Sequence, residues 1–120
     1  MQKSLLFLFF IACSATALGD GISDNFKSMA KALKIAADVG DRCLADYQAT
    51  KDKAQCDRFE LVFNDFRLKQ KAWQKSFHGN VQLAEGSATK QEFADFKSDG
   101  TRLAETLSFI GEREDEFPLK

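Results

Sequence analysis

The chain has 120 residues, with 17 basic and 18 acidic side chains, one histidine and three cysteines. That length suits one ordinary domain and not two. A balanced charge lacks the basic excess that neutralises nucleic-acid phosphates, and it equally excludes a cationic membrane-lytic peptide.

The N-terminus has the layout of an export leader. Lys3 is the basic n-region, Leu5 to Ala12 is an unbroken apolar run, and Ala15, Thr16 and Ala17 are small residues of the kind signal peptidase accepts. Residues 1–17 are expected to be a signal peptide cleaved after Ala17, with cleavage after Gly19 as the alternative. The folded domain is then 20–111. The apolar run is shorter than the roughly 20 residues of a membrane span. The mature chain is therefore expected to be secreted and extracellular, with no span after cleavage. Cleavage removes Lys3 and Cys13 but no acidic residue, leaving a net charge of −2 and the cysteine pair Cys43 and Cys56.

The first helical segment carries apolar or small residues at Phe26, Met29, Leu33, Ala36, Gly40, Cys43 and Tyr47, in alternating steps of three and four. Ser23 or Asp24 can cap it, and the row Asp38, Arg42, Asp46 reads as a solvated face. Asp52 with Gln55 resembles a capping box opening the second segment. That segment runs Cys56, Phe59, Phe63, Phe66, Gln70, Trp73, Phe77 and is closed by Gly79 and Asn80, which tolerate the left-handed conformation. His78, beside that end, is expected to meet free carbonyls there. A connector follows over 81–88, with room for a short fourth element. Thr89 with Glu92 forms a second capping box before the third segment, Phe93, Phe96, Gly100, Leu103, Leu107, Ile110, which Gly111 ends. Residues 112–120 read as an acidic, flexible tail.

The fold class expected is all-α, a small antiparallel up-down-up three-helix bundle. In an oxidising compartment, the pair Cys43 and Cys56 reads as a disulfide. With that bond, facing positions on the first two segments sum to 99, pairing Gly40 with Phe59, Ala36 with Phe63, and Phe26 with Trp73. Sums of 169 or 170 mate the second and third segments, placing Phe59 against Ile110, Phe63 against Leu107, and Gln70 against Gly100. The second segment is thus expected in the middle.

Chemistry is sparsely supplied. No serine elbow, phosphate loop or metal-ligand spacing occurs, and a zinc site needs four ligands. No catalytic residue, metal or cofactor is assigned, and the protein is expected not to be an enzyme. Two binding surfaces remain. Leu61, Leu68 and Phe109 point away from the seam, beside Arg67, Lys71 and Lys75, and suggest contact with an extracellular protein or a second copy. Cover by Val81 and Leu83, or by Phe117 and Leu119, is the competing use of that stripe. The leading expectation is a secreted, non-enzymatic interaction protein working through this exposed face. The alternative is a carrier of an apolar ligand, a lipid or fatty acid, held near Met29, Gln70, Trp73 and Gly100. Against that alternative stands a filled core in which Gln70 sets the register.

Overall fold

A computed structural model describes residues 2–117, with side chains described from Gly21 to Phe117. The expected leader over 1–17, its two cleavage points and Leu119 involve side chains outside the described ones. Four helices follow one another: α1 (Gln2–Thr50), α2 (Ala54–Ser76), the short α3 (Val81–Glu85) and α4 (Lys90–Gly111). No strand occurs among the described residues. No helix among them is long and apolar enough to cross a membrane.

The expected punctuation is partly realised. Thr89 and Glu92 form the reciprocal box: the Glu92 N–H donates to Thr89 Oγ1 at 3.1 Å, and the Thr89 N–H donates to Glu92 Oε1 at 3.0 Å. The bond from the Thr89 N–H, foremost, holds the Glu92 carboxyl below its ordinary pKa, because it favours the charged form. The second box does not form. Asp52 accepts from the Ala54 N–H at 2.9 Å, the N-cap position falls to Lys53, and Gln55 Oε1 is buried without a partner. Asn80 caps α3 rather than closing α2, accepting from the Gln82 and Leu83 N–H groups. His78 and Gly79 both take positive φ, 49° and 75°, so the left-handed reversal begins one residue before the glycine. Ser23 and Asp24 lie inside α1, not at its start.

Three contacts fix α2 on α1. Cys43 and Cys56 are disulfide-bonded, with Cα atoms 4.5 Å apart. Closing a loop this short contributes about 3 kcal/mol in the chain-entropy account. Phe26 meets Trp73 edge-on, with ring centroids at 5.8 Å. Between them, Gly40 passes Phe59 so closely that an added Cβ would lie 3.2 Å from the ring. All three pairs keep the expected sum of 99.

The identity of the central helix differs from the expectation. α1, not α2, packs extensively against both of the other long helices. The cause is visible in its burial. Besides the seam residues, Ala32, Ala37 and Val39 are buried, so α1 is apolar over a wide arc, whereas α2 fully buries only Cys56, Phe59 and Phe66. A narrow aromatic stripe can satisfy one neighbour, while a broad arc of small residues can serve two.

α4 reaches α1 at several heights. Phe26 packs on Phe93 at 5.0 Å and on Phe96 at 5.4 Å, and Tyr47 packs on Phe109 at 5.8 Å. Midway, Arg102 gathers three carboxylates: Asp38 at 2.9 Å, Asp41 at 2.6 Å and Asp99 at 3.0 Å. The charge row expected to be solvated thus turns its first member across to α4 instead of along its own helix. These bonds keep the guanidinium charged well beyond its ordinary range, with those to Asp99 and Asp38 foremost.

Thr106 is the small residue that lets α4 close on Gly40. It is fully buried, and its Oγ1 lies 2.5 Å from where a Cβ on Gly40 would stand. Gly40→Ala is therefore expected to lower stability by about 1–3 kcal/mol through overpacking, seen as a fall of roughly 5–20 °C in melting temperature. Adding Thr106→Ala should recover part of that loss, because it removes the group the new methyl strikes. Additive losses would show that the two sites are not in contact.

Candidate functional site

α2 and α4 do not close on each other along their whole length. At one end Phe66 meets Phe96 across the gap at 6.3 Å, and Phe26 of α1 backs the same cluster. Toward the disulfide the two helices leave a groove of about 340 Å³. Its floor is Phe59 and Phe63 from α2, with Leu107 and Ile110 from α4. Phe59 and Phe63 stack nearly parallel, 6° apart with centroids at 5.8 Å. Residues expected to touch, Phe59 with Ile110 and Phe63 with Leu107, therefore line one groove. Leu107 is 38% exposed there, since Thr106 has taken the inward position.

The tail closes one end of the groove. Residues 112–120 were expected to be flexible, yet the segment is docked as far as Phe117. The Phe117 ring sits 4.8 Å from Tyr47 and 6.4 Å from Phe109, and it lines the groove. Arg113 lies over the Phe109 ring at 3.9 Å, and Lys53 lies over Phe117 at 5.2 Å. Two short hydrogen bonds hold the strap: the Tyr47 hydroxyl donates to the Glu116 carboxylate, and Lys53 Nζ donates to the Glu116 carbonyl. Phe109, expected to face outward, is consequently half-buried under Phe117 and Arg113.

The other expected positions are scattered. Leu61 and Leu68 stand open at 71% and 65% exposure, with Arg67, Lys71 and Lys75 exposed on the same helix. The connector does not shield them: Val81 is itself 66% exposed, and the connector instead secures Trp73, whose Nε1 donates to Ser87 Oγ at 3.1 Å. Met29, Gln70, Trp73 and Gly100, expected to line a pocket, are not among the residues of this groove. Met29 is fully buried, Trp73 is fixed between Phe26 and Phe77, and a Cβ on Gly100 would meet nothing. The groove opens at the opposite end of α2 from Trp73.

Among the described residues, no group of three histidine, cysteine, aspartate or glutamate side chains is placed to hold a metal ion. His78 is exposed at the α2–α3 reversal. No family model matches the chain, and no curated protein or solved structure matches it. The candidate site is therefore defined by the geometry of the groove alone.

The Tyr47–Glu116 bond also gives a spectroscopic handle on the strap. Tyr47 is the only tyrosine. Its phenol is raised above 10.0, first by the hydrogen bond to Glu116 and then by burial. A raised pKa means the docked state favours the protonated phenol. Its stabilising contribution is therefore full below pH 10 and is lost as pH climbs through the folded-state value. Absorbance titration of the phenolate should give a midpoint above 10, and Glu116→Gln should bring it back toward 10. An unchanged midpoint in that variant would show that the strap is not held by this bond.

Proposed function

We propose that the mature chain is a secreted, non-enzymatic binding protein that takes an apolar ligand in the groove between α2 and α4. The observation carrying this reading is a concave, aromatic-floored space of about 340 Å³ that the chain's own packing leaves unfilled. That size lies at the lower end of small-molecule sites, which are mostly apolar with a few polar groups at the edge. Export is supported by the leader pattern and by a disulfide, which persists in oxidising compartments.

The arrangement we infer is an up-down-up bundle with α1 central. For α1 and α2, the contact pairs 26/73, 40/59 and 43/56 have a constant sum, which suits antiparallel neighbours. For α1 and α4, the contacts at 26/93, 40/106 and 47/109 rise together, which suits parallel ones. Two outer helices that meet only the central one over most of their length leave a furrow between them. In this reading the furrow is the site.

Leu107→Trp tests the reading by filling the groove from its open wall. A neutral apolar fluorophore, N-phenyl-1-naphthylamine, is expected to bind the parent saturably at one site. The variant, with its melting temperature retained, should lose affinity at least tenfold. Equal binding by both proteins, or no saturable binding by the parent, would reject the groove.

A second reading keeps the outer face of α2 as a contact for a macromolecule. It is favoured by the exposure of Leu61 and Leu68, seven residues apart and left bare by the connector and by the tail as far as Phe117. Leu61→Ser with Leu68→Ser should leave the fold intact, because neither side chain is packed. In sedimentation, the parent should associate with rising concentration and the double variant should remain monomeric. A parent that stays monomeric throughout removes self-association through this face.

A further inference from the structure

The groove's rim says more than its floor. Four charged residues line it: Lys53, Asp57, Glu60 and Glu116. The Lys53 ammonium is already committed, donating to the Glu116 carbonyl and lying over Phe117. The Glu116 carboxylate accepts from the Tyr47 hydroxyl. Asp57 and Glu60 remain, three residues apart and therefore neighbours on one face of α2, both exposed to water at the mouth. An apolar floor thus opens past two adjacent carboxylates, with the nearby cation held by the strap.

We infer that the groove selects small cationic amphiphiles, amines carrying an apolar chain or ring system. The apolar part lies on Phe63, Leu107 and Ile110, and the ammonium group sits between Asp57 and Glu60. Charge complementarity at the mouth argues for the amine. Space argues for a small molecule over a peptide helix. One turn of a helix, about 10–12 Å across and about 5.4 Å long, already exceeds the groove. A fatty acid, one of the apolar ligands in the alternative expectation, would bring a carboxylate against two others. This inference rests on the groove reading and sharpens it.

Displacement of N-phenyl-1-naphthylamine from the oxidised full chain tests both levels. Dodecylamine, dodecanol and dodecanoate, each below its solubility or micellar limit, share a chain and differ in head-group charge. Dodecylamine is expected to compete about three- to tenfold more tightly than dodecanol, as two solvent-exposed ion pairs would provide, with dodecanoate the weakest. Asp57→Asn with Glu60→Gln should bring the three ligands within about twofold of one another while dodecanol affinity stays constant. Equal or reversed affinities in the parent overturn the selectivity and leave the groove standing. A preference for the amine that survives in the double variant overturns the assignment to these carboxylates. Failure of all three ligands to displace the fluorophore overturns the groove and the selectivity together.

Discussion

α1 passes tightly between both of its neighbours at a point where it has no side chain. At Gly40 the backbone meets Phe59 of α2 and Thr106 of α4 at once, and a single methyl group would strike both. Helix axes ordinarily stand about 8–10 Å apart, with the distance set by the side chains between them. Removing the side chain at this level draws both neighbours onto α1. Because they arrive from different sides of a broad apolar arc, they are not drawn onto each other. The groove between them follows from that geometry.

The two ends of the bundle fill their space differently. At the Phe26 end, four aromatic side chains from three helices, Phe26, Phe66, Phe93 and Phe96, interlock and occupy the gap between α2 and α4. At the Tyr47 end, the disulfide between two small seam residues, Cys43 and Cys56, holds α1 close to α2. The chain returns Phe117 to cover part of the resulting hollow and leaves the remainder open. The Arg102 cluster stands between these ends and fixes the height of α4 on α1. Its carboxylates are partly exposed, so its contribution is geometric register more than energy.

Much of this was legible in the residues. The cysteine pair set the register of α2 on α1, and Phe26 opposite Trp73 and Gly40 opposite Phe59 followed from it. Thr89 with Glu92 marked the start of α4, and the connector carried its short helix. What escaped was the identity of the shared helix. Large seam residues draw the eye to α2, where Phe59, Phe63 and Phe66 cluster, but two-sided packing is signalled by small residues around the seam. On α1 these are Ala32, Ala37 and Val39. Thr106 escaped for a related reason: a polar residue beside Leu107 reads as outward, yet only a small side chain fits against Gly40. Choosing Thr106 rotates Leu107 into the groove and turns an expected contact into an exposed wall. The tail escaped because charge and proline content resemble a fraying end, while the anchor is a single aromatic residue and two hydrogen bonds to Glu116. None of the residues singled out as a partner surface or as ligand-lining lines the groove; Phe59 with Ile110 and Phe63 with Leu107 were expected as core contacts, and the space between them was not foreseen.

The groove depends on α1 lying in simultaneous contact with both partners at Gly40. Nuclear Overhauser effects from the Gly40 α-protons report this directly in solution. Cross-peaks are expected from those protons to the Phe59 ring and also to the Thr106 side chain. Cross-peaks to Phe59 alone, with Thr106 silent, would contradict this arrangement, because α4 would then be packed elsewhere and the groove would lose its second wall.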